Sequence, residues 1–216
     1  MAPRIYRTEE WGARLPEQYF DSRPAHGIVI HHTGTPGDGD NRTPLRGDDE
    51  LAYAFALARG IQDFHMFDVK HGWQDTGQHF TVSRGGVVLE GRWGSLAAAQ
   101  RGQVVTGAHA GDLEGNLHWW GIEIEGNYLH DTNVPAAEWS AVTSLCDWLL
   151  ARGRLSTAQI KPHHLFNSGT PCPGHLEDRI PALSRALAVR RAGRAFGAFS
   201  AAAVAMVVAR RARTNL

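Results

Sequence analysis

Residues 27–34 read GIVIHHTG, three large apolar residues in a row, two of them isoleucines, bounded by glycines and closing on two histidines. An apolar run this short predicts a buried strand rather than a helix. A buried strand needs cover over its apolar side chains, and together with the helical patterns farther along the chain this points to a sheet flanked by helices. Its polar end marks the sheet edge where chemistry would sit.

Other segments extend that picture. Residues 119–126, WWGIEIEG, read as a central strand, and the alternation of a strand puts Glu123 and Glu125 on one face and Ile122 and Ile124 on the other. QHFTVSRGGVVLEGR alternates around Arg84-Gly85-Gly86 and predicts a hairpin. IKPHH, residues 160–164, predicts a last strand. Residues 35–50 are dense in Gly, Pro and Asp and predict an exposed loop, followed by a helix from about Glu50 to Val69. A second helix is predicted over residues 135–155, where Trp139, Val142, Leu145, Cys146 and Leu149 fall near helical spacing. The expected fold class is α/β, a mixed central sheet flanked by helices.

Charge divides the chain unequally. Residues 181–216 hold seven Arg and no acid, which leaves 15 bases against 22 acids, a balance of −7, in residues 1–180. The expected organisation is an acidic body over residues 1–184 and a cationic, helical tail over residues 185–216. Ala195 to Ala209 is a run of 15 uncharged residues between Arg clusters, shorter than the roughly 20 a membrane-crossing helix needs, so a helix lying on a membrane surface fits better. The first residues, MAPRIYRTEEWGAR, lack the apolar core of a secretory signal, which makes the cytoplasm the expected first location.

Three of the predicted strand or loop ends carry metal-ligating side chains: His31-His32, His163-His164 and Cys172. Zinc is held by neutral imidazoles and thiolates, and a catalytic site uses three protein ligands so that a fourth position stays open. Two cysteines are too few for a disulfide scaffold. Cys146 lies within an apolar helical pattern and reads as structural, whereas Cys172, in Pro-Cys-Pro-Gly, is available to a metal.

In order along the chain, IVIHHTG, GWQDTGQHFTVSRGG, EGR, GAHAG, GIEIEG and HHLFNSGTPCPG resemble the type-2 N-acetylmuramoyl-L-alanine amidases, a family that includes the peptidoglycan recognition proteins and phage lysozyme-amidases. The likeness covers about residues 9–180, and the leading EEWGAR is similar to the opening of many recognition-protein domains. It implies zinc-dependent cleavage of the amide between N-acetylmuramic acid and L-alanine. The ligands it implies are His31, His163 and Cys172, with His164 as the alternative for the middle position at the usual eight-residue spacing from the cysteine. It places Thr170 near the scissile carbonyl and His109, in GAHAG, along the substrate groove.

One position departs from the phage and recognition-protein pattern, because Gln78 stands where those members carry a catalytic Tyr. Gln78 cannot titrate, although its amide can still donate a hydrogen bond to substrate. The muropeptide-recycling branch also lacks that Tyr and uses the first Glu of a similar strand, which carries the proton-transfer role onto Glu123, with Glu125 beside it. The expected partner is peptidoglycan, with contact of the tail to anionic membrane or lipopolysaccharide, no nucleic acid, and a monomeric state. A phage endolysin is the leading reading; a cytoplasmic recycling amidase and a non-catalytic peptidoglycan-binding module are the alternatives.

Overall fold

The computed structural model describes residues 2–34, 42–67 and 72–194. Six strands form one sheet: β1 (Ile5–Tyr6), β3 (Gly27–His32), β4 (Phe80–Val82), β5 (Val88–Glu90), β7 (Trp119–Ile124) and β8 (Ile160–Pro162), in the spatial order β1-β5-β4-β7-β3-β8. Every neighbouring pair is parallel except the β4–β5 hairpin. A small antiparallel pair, β2 (Ser22–Pro24) and β6 (Gln103–Val105), lies apart. The mixed sheet and its flanking helices match the expectation.

Register decides what each face carries. Ile30, Ile122 and Phe80 stand side by side across β3, β7 and β4, and so do His31, Glu123 and Thr81 one residue later. The isoleucine face is closed by α4 (Ala136–Gly153), which brings Val142, Leu145, Cys146 and Leu149 into the same buried cluster as Ile28, Ile30, Phe80, Ile122 and Ile124. These are the positions the helical spacing anticipates. Helix α5, residues 180–194, adds Leu183 and Leu187 to that cluster.

The histidine face is covered differently. Helix α1 (Gly47–Phe67) buries Glu50, Ala54, Ala58, Gln62 and Met66, a stripe spaced by four. The two alanines let it close on Trp11 and Leu89, toward the β5 side of the sheet. Near its end α1 brings His65 to the wall of a cavity at the ends of β3 and β7.

Two short helices, α2 (Ser95–Gln100) and α3 (Leu113–His118), and the β2–β6 pair went unpredicted. Six residues are too few to display a helical period, and three too few for alternation. The start of α3 is set locally, by the Asp112 side chain accepting from Gly115 N at 2.7 Å. The expected tail begins within α5. There Arg191 Nη1 donates to the Leu155 carbonyl at 2.7 Å, and Arg194 pairs with the mostly buried Asp147 at 2.9 Å. The uncharged run from Ala195 onward lies outside the described residues, as do residues 35–41 of the predicted loop and the last residues of the first predicted helix; the end of that loop, from Gly47, is instead the first turn of α1, where Glu50 is buried. Among the described residues no helix is long and apolar enough to cross a membrane.

Candidate metal centre and its cavity

The cavity at the open ends of β3 and β7 has a volume of about 300 Å³ and is lined by His31, Gln78, His109, Glu123, His163, Thr170 and Cys172. All seven sequence-predicted site residues therefore meet at one place, although they span residues 31 to 172. The ligand atoms of His31, His163 and Cys172 lie within 4.8 Å of one another, forming a group able to hold a metal ion. His31 arrives on β3. His163 opens a 3-10 turn, His163–Leu165, directly after β8, and Cys172 follows on the returning loop.

The choice between the two adjacent histidines has a local cause. His164 N donates to the Cys172 carbonyl at 3.0 Å, which ties the turn to the loop, and the His164 ring points outward to Glu177 at 2.8 Å. His163 is thereby turned inward, its ring 4.2 Å from that of His31.

The donor set fits a cation. Both ring nitrogens of His163 are buried without a hydrogen bond; the Ala110 carbonyl faces the ring outside hydrogen-bond geometry. Buried polar groups without partners are uncommon enough to require a cause. Cys172 Sγ lies 4.0 Å from His31 Nδ1, so both atoms face the same point. Burial, then the neighbouring imidazoles, hold His31 well below the usual histidine range, and burial also lowers His163. Neutral imidazole is the form that ligates. Burial pushes the Cys172 thiol up to about 12, against the His32 backbone amide, which favours the thiolate. A cation at the shared point would reverse that balance, since a coordinating thiol is deprotonated.

Glu123 stands in the same cavity with one carboxylate oxygen, Oε2, buried and unpartnered. Burial raises its pKa to about 8. Thr170 Oγ1 accepts from Cys172 N at 3.2 Å, and Gln78 Nε2 donates to Thr81 Oγ1 at 3.0 Å, which holds the Gln78 carboxamide at the cavity wall. His32 also lines the cavity but stands outside the group of three possible ligands, its Nδ1 accepting from Tyr128 N at 3.0 Å.

Several participants escaped the sequence reading. His65 and Trp73 line the cavity, their rings 4.7 Å apart, and His65 Nδ1 accepts from Gly77 N at 3.2 Å. Trp73 sits within a recognisable motif, whereas His65 is one polar residue on a long helix and gives no signal. Glu125, expected on the same strand face as Glu123, is committed to an ion pair. Arg42 grips it at 2.7 and 2.8 Å while gripping Glu50 twice at 2.7 Å.

Comparison with known proteins bears on the fold and the family. Drosophila PGRP-LB has a similar structure, with 27% identity, a TM-score of 0.61, and coverage of 82% of this chain and 92% of that one. The ectodomain complex of peptidoglycan recognition proteins LCa and LCx, solved with tracheal cytotoxin, matches at 24% identity and a TM-score of 0.63 over 83% of this chain and 95% of that one. The endolysin N-acetylmuramoyl-L-alanine amidase LysCS from Clostridium intestinale matches at 22% identity and a TM-score of 0.52, over 81% and 89%. These last two likenesses speak to the fold alone. A search of curated protein sequences finds no match. The sequence profile of one family matches residues 21–175, most of the chain and all of the cavity residues, and the chain belongs to that family, the N-acetylmuramoyl-L-alanine amidases.

Proposed function

We propose that the chain is a zinc-dependent hydrolase of the amide joining N-acetylmuramic acid to L-alanine in peptidoglycan. The observation that carries this reading is the convergence of three ligating side chains with the unpartnered carboxyl oxygen of Glu123 in one cavity. His31, His163 and Cys172 would hold the ion, leaving a position open to water. Zinc bound by such a set acts as a Lewis acid and brings the pKa of its water to about 7.

The remaining steps fall to the chain's own residues. Glu123, which the charge of a bound cation would hold ionised against its burial, takes the proton from the attacking water as oxygen bonds to the carbonyl carbon. It returns that proton to the alanine nitrogen as the C–N bond breaks. Gln78, its Nε2 already committed on one side to Thr81, has a second N–H to offer the carbonyl oxygen. The Thr170 hydroxyl, beside Cys172, borders the same space.

The biological setting we favour is lysis from within, as a phage endolysin acting from the bacterial cytoplasm on the wall, with the Arg-rich residues 185–216 drawn to anionic membrane or lipopolysaccharide. Recycling of soluble muropeptides is the second reading, favoured by Glu123 in a site where Gln78 replaces Tyr. Mass spectrometry of digested intact sacculi and of soluble anhydro-muropeptides tests both. Release of free stem peptides from sacculi, abolished by a chelator and restored by zinc, is expected. Cleavage confined to the soluble substrate would select the recycling reading, and activity indifferent to chelation would overturn the zinc assignment.

A further inference from the structure

His109 contacts the metal centre from behind. Its Nδ1 lies 2.9 Å from His31 Nε2, and its Nε2 lies 3.1 Å from the backbone carbonyl of Trp119 at the start of β7. A carbonyl can only accept, so the His109 proton belongs on Nε2, which leaves Nδ1 as an acceptor. His31 must then donate through Nε2–H. Its remaining nitrogen, Nδ1, carries the lone pair, and Nδ1 is the atom facing Cys172 Sγ. The opposite assignment would set two lone pairs against each other at the Trp119 carbonyl.

The seat of the His109 ring is built to hold this orientation. A Cβ on Gly121 would lie 2.7 Å from the ring and one on Gly107 2.8 Å from it, so both positions exclude a side chain. Asn116 Oδ1 accepts from the backbone N–H groups of His109 and Ala110, both at 2.9 Å, and pins the loop. Behind it, the His79 ring meets His109 edge to face at 5.2 Å. His79 is itself fixed, because Nε2–H donates to the Val105 carbonyl at 2.6 Å and Nδ1 accepts from Gly121 N at 2.9 Å.

We infer that His109 is a positioning residue that locks His31 in the Nε2–H form and aims its Nδ1 at the metal, rather than a group that binds substrate through its ring nitrogens. The inference rests on the zinc reading for its consequence, but the proton arrangement stands without metal. Partners behind a ligand typically change metal affinity by about 10- to 100-fold when removed.

The test begins with long-range ¹H–¹⁵N spectra of the metal-free full-length protein, in which His31 and His109 are both expected as Nε2–H tautomers. An Nδ1–H His31 overturns the inference. Zinc affinity is then measured by chelator competition for the unaltered chain, His109→Leu, which fills the space without an acceptor, and His109→Asn, whose Oδ1 can take the place of Nδ1. His109→Leu is expected to bind zinc about 10- to 100-fold more weakly and to alter the absorption spectrum of the cobalt-substituted site, with His109→Asn recovering most of the affinity. Equal affinity in all three overturns the inference and leaves the zinc reading intact. An unaltered chain that takes up no zinc overturns the zinc reading, and the tautomer spectrum still decides the proton arrangement. Should His109→Leu not fold, His109→Asn and that spectrum decide.

Discussion

Glu123 and Glu125 stand two residues apart on one face at the end of one strand, yet their surroundings are opposite. Glu125 accepts two hydrogen bonds from Arg42 and one from Arg84 N at 2.8 Å, and the same guanidinium is shared with Glu50. Glu123 has a buried oxygen with no partner. A buried carboxylate needs a counter-charge or a proton. Around Arg42 the chain supplies the counter-charge itself, which fastens the start of α1 and the residues before it to the end of β7. At Glu123 the chain withholds one, leaving a group that can take and release a proton beside the ligand cluster. Around Arg42 the charges are paired; at Glu123 one carboxylate oxygen is left without a partner.

The sharpest way to break this comparison is to neutralise Glu123. Glu123→Gln keeps the shape and loses the proton acceptor, so bound zinc is expected to stay while turnover falls about 10²- to 10⁴-fold. Near-unaltered turnover, measured by release of stem peptide, would move the base elsewhere. The complementary change is Arg42→Met, which strands two buried carboxylates without their cation and is expected to destabilise the fold by about 3–5 kcal/mol in urea unfolding. A loss within about 0.5 kcal/mol would mean that the clamp does not hold this edge of the sheet together.

Acid and base should separate the two kinds of carboxylate. Arg42 and Ser83 hold Glu50 down to about 2 against its burial, below the ordinary 4.5. Its contribution is present above about 4.5 and lost as pH falls through about 2. Burial raises Glu138 to about 8, with the Tyr128 hydroxyl at 2.6 Å opposing that rise. Its favourable neutral form is fully present below 4.5 and lost as pH rises through about 8. Urea titrations across this range should show stability falling on both sides, and Glu138→Gln should flatten the alkaline side. An unchanged alkaline slope would remove Glu138 from the account.

The smallest effect is expected at Cys146. It is fully buried in the apolar cluster and its thiol is pushed up to about 12 by burial, so Cys146→Ser should cost on the order of 1 kcal/mol and leave metal content unchanged. Zinc loss in that variant would contradict the division of roles between the two cysteines.

The sequence by itself determined the central strands β3 and β7, the β4–β5 hairpin and the candidate ligating groups. Alternation with a period of two fixes which side chains share a face, and the ordered motifs from IVIHH to TPCPG mark the strand ends that carry His31 and Glu123 and the loop that carries Cys172. It also separated the two cysteines, since one sits in an apolar helical pattern and the other among turn residues. Only the tertiary structure decided between His163 and His164, because the choice depends on a hydrogen bond from His164 N to the Cys172 carbonyl and on Glu177 drawing the His164 ring away. The same holds for Arg42 against Glu125, 83 residues apart, and His31 against His109, 78 apart. Such pairs join loop residues to strands or strand ends that meet only once the sheet is assembled, and no local period in the chain encodes them.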